Sequence, residues 1–289
     1  MYQSPYIQSR WVDVDGLRIY CRYSEGDGLP VVLLQGGMLD SSTLTWRRTL
    51  ESLPPRYRVF APDLPGYGKS EKPSDAPYTT AYFIDFIARF MDAMDLPRAV
   101  LFGSSMSGAA AIGLALQHPE RIIGLGLAGV YGWQPRVPLH PLAYAAAHLP
   151  GLPTLVQTVL RKGPGVMRLA LHVAIAHPDA ITEDLVEDAQ TGIMADGQIR
   201  TFVTWLRSEL GPKTVHTNYA DRLHEITAPV LILHGAHDWL MPLAYAYRAH
   251  ERFPHAVLHV FEQGGHMVPR EYPRRANRLI TDFLERLAP

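Results

Sequence analysis

The stretch Val100-Leu101-Phe102-Gly103-Ser104-Ser105-Met106-Ser107-Gly108-Ala109 sets an apolar run directly before an Ala-rich one, with serines at the join. A serine on a sharp turn between a strand and a helix can act as a nucleophile, because the turn lifts its hydroxyl clear of both elements. The residues two before and two after must be small, or strand and helix would collide. Ser105 meets that requirement with Gly103 and Ser107, whereas Ser104 would place Phe102 and Met106 there. Ser107 also has small neighbours, Ser105 and Ala109, but it falls further on, inside the expected helix, and ranks second.

A serine hydroxyl needs an imidazole to take its proton and a carboxylate to fix the imidazole's tautomer. Most of the 13 histidines have bland readings: His118 ends a helix before proline, His259 sits in a strand, and His140, His148, His172 and His177 fall among helices. His266 differs, because it follows Phe261-Glu262-Gln263-Gly264-Gly265, a strand end and two glycines able to turn a side chain back over a sheet edge. Asp238 stands in the loop after the apolar run Val230–Leu233 and so reaches the same edge. The preceding strand closes on Ala128-Gly129-Val130 without an acid. His234, His237 and Asp238 straddle a strand end with no fourth ligand at usable spacing, so neither a metal nor any other cofactor is expected.

These residues need a scaffold. Gln8–Val14 and Leu17–Tyr23 alternate on either side of Asp15-Gly16, which predicts an antiparallel hairpin. Continuous apolar runs then recur at Val31–Gln35, Tyr57–Ala61, Ala99–Phe102, Ile122–Leu127, Val230–Leu233 and Ala256–Phe261, as in strands covered on both faces. Helical spacing separates them at Ser42–Leu53, Thr80–Met94, Ser107–Gln117, Leu243–Phe253 and Arg274–Leu287. The fold class is therefore α/β, a mostly parallel sheet of about eight strands flanked by helices. Residues 131–217 break the alternation with short, proline-punctuated helical segments, which predicts an all-helical cap inserted into a core of residues 1–130 and 218–289. Trp133, Tyr144, Phe202 and Trp205 read as the residues that bury this cap on the core.

Composition agrees with that frame. The 289 residues suit one large domain with an insertion, and 47% apolar against 19% charged residues excludes disorder and coiled coil. A net charge of −1 offers no overall field for nucleic acid or an anionic bilayer. The doublets Arg161-Lys162 and Arg274-Arg275 read as solvated helix faces. Met1–Tyr6 lacks the basic start of a signal peptide, and no apolar stretch approaches the roughly 20 residues of a membrane span. With Cys21 as the single cysteine, a cytoplasmic protein is expected, and Cys21 itself reads as a packing residue.

The order Ser105, Asp238, His266 on this alternation resembles the α/β-hydrolase superfamily, and the resemblance covers nearly the whole chain. Pro62-Asp63-Leu64-Pro65-Gly66-Tyr67-Gly68-Lys69-Ser70 is similar to the family's loop after the fourth strand, where Asp63 would brace the loop. Gln35-Gly36-Gly37 is similar to its His-Gly oxyanion loop. The resemblance implies an oxyanion hole made by the backbone N–H groups of Gly37 and Met106. Gln35 departs from the usual His but can donate and accept in its place. Ser105 in place of an elbow Asp points away from dehalogenase and epoxide chemistry and toward acyl transfer.

The leading expectation is a serine esterase acting on a small to medium hydrophobic small molecule. Its rival is a carbon–carbon bond hydrolase of vinylogous diketones, which the elbow resembles. That subfamily usually has Asn where Ser104 stands and an aromatic where Met267 stands. A third expectation, from another class, is a catalytically slow ligand-binding receptor on the same fold. The substrate and the oligomeric state are left open.

Overall fold

The computed structural model describes residues 6–288. The hairpin around Asp15-Gly16 is formed by β1 (Gln8–Val14) and β2 (Leu17–Ser24), and both turn residues have positive φ, 51° and 84°. Next come β3 (Pro30–Leu34), α1 (Ser42–Ser52), β4 (Arg58–Pro62), α2 (Thr80–Ala93), β5 (Ala99–Ser104), α3 (Met106–Gln117) and β6 (Ile122–Ala128). Between β6 and the next strand run five helices: α4 (His140–His148), α5 (Leu152–Leu160), α6 (Pro164–Leu171), α7 (Glu183–Met194) and α8 (Gln198–Glu209). The chain closes with β7 (Val230–Gly235), α9 (Leu243–Arg252), β8 (Ala256–Phe261), the short α10 (Val268–Glu271) and α11 (Pro273–Leu287).

The eight strands form one sheet in the order β1-β2-β4-β3-β5-β6-β7-β8, parallel from β4 to β8 and antiparallel where β2 meets β1 and β4. The period of two in a strand explains why the inner runs are apolar throughout. Val32, Leu34 and Leu101 pack toward Phe83, Phe86 and Ile112 of α2 and α3, while Val31, Leu33 and Phe102 pack toward Trp46 of α1 and Phe283 of α11. Each such side chain contributes roughly 1.5–3 kcal/mol by leaving water. Cys21 is buried in the first of these layers, where desolvation pushes its thiol up to about 12.

The helices between β6 and β7 have an apolar cluster of their own, in which Met167, Leu171, Leu185 and Ile193 enclose Leu39 and Leu44 from the loop after β3 and from α1. Polar ties fix them further. Arg47 of α1 meets Asp188 of α7 at 2.6 Å, and Arg270 of α10 meets Asp184 at 3.2 Å. Buried Glu209 of α8 accepts from Thr80 Oγ1 (2.6 Å), Tyr131 Oη (3.0 Å) and Thr217 N (3.1 Å). Directional contacts of this kind specify one seating of the helices more than they add net stability.

Candidate active site

Ser105 sits between β5 and α3 at φ 50° and ψ −118°, a left-handed conformation costly for a residue with a Cβ. Its surroundings hold it there: its N–H donates to Ala128 O at 3.0 Å, and its carbonyl accepts from Gly108 N (3.0 Å) and Tyr131 N (3.2 Å). A Cβ at Gly103 would lie 2.7 Å from Gly108 Cα, which is the close approach the sequence spacing implied. Ser107 is fully buried within α3, its Oγ donating to Leu34 O at 2.8 Å and accepting from Ser104 N at 3.1 Å. That hydroxyl is committed to packing the elbow.

The loops after β7 and β8 bring Asp238 and His266 together. Asp238 Oδ2 and His266 Nδ1 lie 2.8 Å apart, and Asp238 Oδ1 accepts from the amides of Leu240 (3.0 Å) and Met241 (2.9 Å). With Nδ1 turned to the carboxylate, the hydrogen-bond network assigns the proton there and leaves Nε2 as the basic nitrogen. Burial alone would raise the Asp238 carboxyl, but the facing imidazole and its hydrogen bond hold it below the usual range. Burial likewise would lower His266, yet Asp238 outweighs it and keeps the imidazole above its ordinary value. His234, also 3.8 Å from Asp238, is occupied otherwise: its Nε2 pairs with Met241 O at 2.7 Å, and burial lowers its pKa.

The loop after β3 lies against the elbow. A Cβ at Gly36 would approach Ser105 Cβ to 3.3 Å, and one at Gly37 would approach Met106 Sδ to 3.4 Å. Among the described residues, neither the Gly37 nor the Met106 N–H is paired with a protein acceptor. Gln35, its amide oriented to suit its neighbours, donates to Pro62 O (3.0 Å) and accepts from Leu64 N (2.9 Å), so it supports the loop as a histidine would. Asp63 accepts from Ser42 N (2.8 Å), Ser42 Oγ (2.7 Å) and Lys69 N (2.8 Å), the bracing role read from the sequence.

Three further side chains shape the site, and sequence reasoning passed over their roles. Asp40, buried, accepts from Gly36 N at 2.6 Å and Ser41 N at 2.8 Å, and also from Thr45 Oγ1, so it sets the path of the loop that carries Gly37. Desolvation pushes its pKa up to about 6. Phe202 of α8, expected only to bury the cap, lies over that loop, 2.7 Å from where a Gly37 Cβ would be. Glu271 accepts from Gly265 N (2.9 Å), Ala176 N (2.9 Å) and His177 N (3.1 Å), tying the histidine loop to the segment after α6. The same segment gives Ala174 O to His266 N (2.8 Å) and Met267 N (3.3 Å), and Val173 O to Trp239 Nε1 (2.6 Å). Nothing local marks Asp40 or Glu271 in the sequence, since the first reads as an acid beside the N-cap Ser41 and the second as a charge near a helix start.

An eight-stranded sheet of this order, with a strained serine after β5 and an Asp–His pair on the last two loops, defines an α/β hydrolase. The chain belongs to the alpha/beta hydrolase fold family, whose model matches residues 30–163 and 196–271. A 2-hydroxy-6-oxononadienedioate/2-hydroxy-6-oxononatrienedioate hydrolase of Cupriavidus pinatubonensis is 30% identical, over 96% of this chain and 95% of its own. An uncharacterized hydrolase of Bacillus subtilis is 28% identical, over 94% of this chain and 96% of its own. Among solved structures, a meta-cleavage product hydrolase from Pseudomonas fluorescens matches with a TM-score of 0.80 at 25% identity, covering 97% of this chain and 98% of that one.

Proposed function

We propose that this hydrolase cleaves a carboxylic ester of a small to medium hydrophobic substrate through an acyl-enzyme on Ser105. The observation that supports it most is the hydrogen bond of 2.8 Å between Asp238 and His266, together with a serine held at φ 50° on the turn after β5, whose Oγ makes no hydrogen bond to His266 in this structure. Ser105 Oγ attacks the acyl carbon while His266 Nε2 takes its proton, and Gly37 and Met106 donate to the oxyanion. His266 then protonates the leaving alcohol. Water, activated by the same imidazole, releases the acid and restores Ser105. Residues 131–217 act as a cap, and half-buried Phe202 over the Gly37 loop supplies apolar surface on the acyl side.

A second reading is the carbon–carbon bond hydrolase, favoured by the names of near full-length relatives. Ser104 and Met267 in place of the Asn and aromatic expected for that chemistry favour the ester. Hydrolysis of a short aryl ester, compared with a dienoic ring-cleavage product and with Ser105→Ala as control, separates the two. A strong preference for the dienoate overturns the ester assignment, and full activity in S105A overturns the serine mechanism. No fluorophosphonate labelling of Ser105 alongside tight ligand binding would instead favour the receptor.

A further inference from the structure

Three consecutive helices of the cap, with the residues at their ends, display apolar side chains to solvent: Leu142 on α4 and Leu139 just before it, Leu155 and Val159 on α5, and Leu169 on α6 with Val173 just after it. The residues are far from marginal, with Leu142 64%, Leu155 59% and Leu169 71% exposed. α5 packs on α4 and α6, and all three rest on α7 or α8, so the exposed residues belong to adjoining helices. Scattered single leucines on a surface need no explanation, but paired ones on adjoining helices do.

Charge narrows what covers this face. Residues 121–178 contain no Asp or Glu, although the chain has 28, and their charged residues are Arg121, Arg136, Arg161, Lys162 and Arg168. Arg161 and Arg168 pair with Asp196 and Glu183, which lie outside that stretch, while Lys162 is exposed and makes no ion pair among the described residues. Besides the neutral Thr154 and Thr158 and the histidines His148 and His172, the exposed surface of these helices is apolar and carries no acid, with Lys162 as its cation free of an ion pair. That suits an anionic lipid surface, which attracts Lys and accepts leucines below its headgroups. No helix is long and apolar enough to cross a membrane, so such contact would lie on the bilayer. The face also runs into the site. Val173 gives its carbonyl to half-exposed Trp239, the neighbour of Asp238, and Ala174 gives its carbonyl to His266 N.

We propose that α4, α5 and α6 form a docking surface for an anionic lipid bilayer, which presents a lipid-dissolved ester to Ser105. The substrate class rests on the ester reading above, and the docking does not. The test is flotation of the full chain with vesicles of phosphatidylcholine alone or mixed with phosphatidylglycerol, at low and high salt. The expected result is co-flotation with the mixed vesicles, weakened by salt and by Lys162→Glu. A triple Leu142→Ser, Leu155→Ser, Leu169→Ser variant should lose at least about tenfold in partitioning while keeping its rate on a water-soluble aryl ester. Leu155→Ser alone, at one exposed position, should lose part of the binding and serves should the triple variant fold poorly. Absence of flotation with either vesicle overturns the proposal. So does a dimer, seen by light scattering, that the same substitutions dissociate, since the face would then belong to a second copy. Vesicle binding by a protein inert toward aryl esters upholds the surface and removes the ester reading.

Discussion

Gly129 lies so close to His266 that a Cβ added to it would stand 3.0 Å from Nδ1 and 2.7 Å from the carbonyl oxygen. Its φ of 53° also disfavours any side chain. The neighbouring Ala128 carbonyl holds the Ser105 amide, so this end of β6 spaces the serine from the imidazole. Gly129→Ala should push His266 off the line to Ser105 and lower kcat/KM by about 100-fold. Steady-state kinetics on an aryl ester checks this, and an unaffected rate would show that the spacing is unimportant.

The pH profile tests the Asp238–His266 pair. The general base proposed above, His266, must be neutral to act, and Asp238 holds it above its ordinary value of 6.5 against the opposing effect of burial. Activity should therefore fall as pH drops through a midpoint above 6.5. In Asp238→Asn the carboxylate is gone, so that midpoint should move to lower pH while the plateau falls by roughly 10⁴-fold. An unmoved midpoint would show that another group is being titrated.

Gly37→Ala tests the proposed oxyanion loop and its dependence on Phe202. The new methyl would meet the Phe202 ring at 2.7 Å, forcing loop or ring aside. Displacing one donor costs about 2.7–4 kcal/mol of transition-state stabilisation, or roughly 10²–10³ in kcat. Because the ring is the obstacle, combining it with Phe202→Ala should recover much of kcat. If the double variant is as slow as the single, the loss arises elsewhere.

Asp40 links the loop to stability. Its carboxyl is raised from 3.8 to about 6, so the folded form binds more protons than the unfolded chain across that window. Stability from this group is present below pH 3.8 and is lost as pH rises through 6, reaching a cost of about 3 kcal/mol when ionised. Asp40→Asn carries no such charge. Its Tm relative to the parent should therefore rise between pH 4 and pH 7, even as the loosened hold on Gly36 lowers activity. A pH-independent Tm difference would contradict the assignment.

Glu271→Ala strips acceptors from three backbone N–H groups, those of Gly265, Ala176 and His177. The buried Gly265 donor left unpaired costs about 1–3 kcal/mol and the part-buried Ala176 and His177 donors less, and the sum should lower Tm by roughly 5–10 °C. Calorimetry across Glu271→Gln and Glu271→Ala should show the glutamine variant in between. A change in Ala below about 1 °C would mean that water replaces the carboxylate without loss.

The hairpin at Asp15-Gly16, the runs that became β3 to β8 and the strained serine were all legible because each is written in a local period or a local spacing. Asp40 and Glu271 were not, because their partners are decided by packing: Glu271 bonds an amide 95 residues away. The doublet Arg161-Lys162 read as a solvated face, and both residues are exposed, Arg161 also reaching Ile193 O at 3.0 Å and Asp196 at 2.9 Å at the end of α7, partners that no local spacing marks. A net charge near zero concealed the acid-free stretch from 121 to 178, since an average carries no positions.

The segment Val173–His177 is bonded to Trp239 beside the acid and to the backbone on both sides of the imidazole. Residues 173–177 thereby couple the loop of Asp238 to the loop of His266, so the alignment of the pair depends on a stretch that supplies neither side chain.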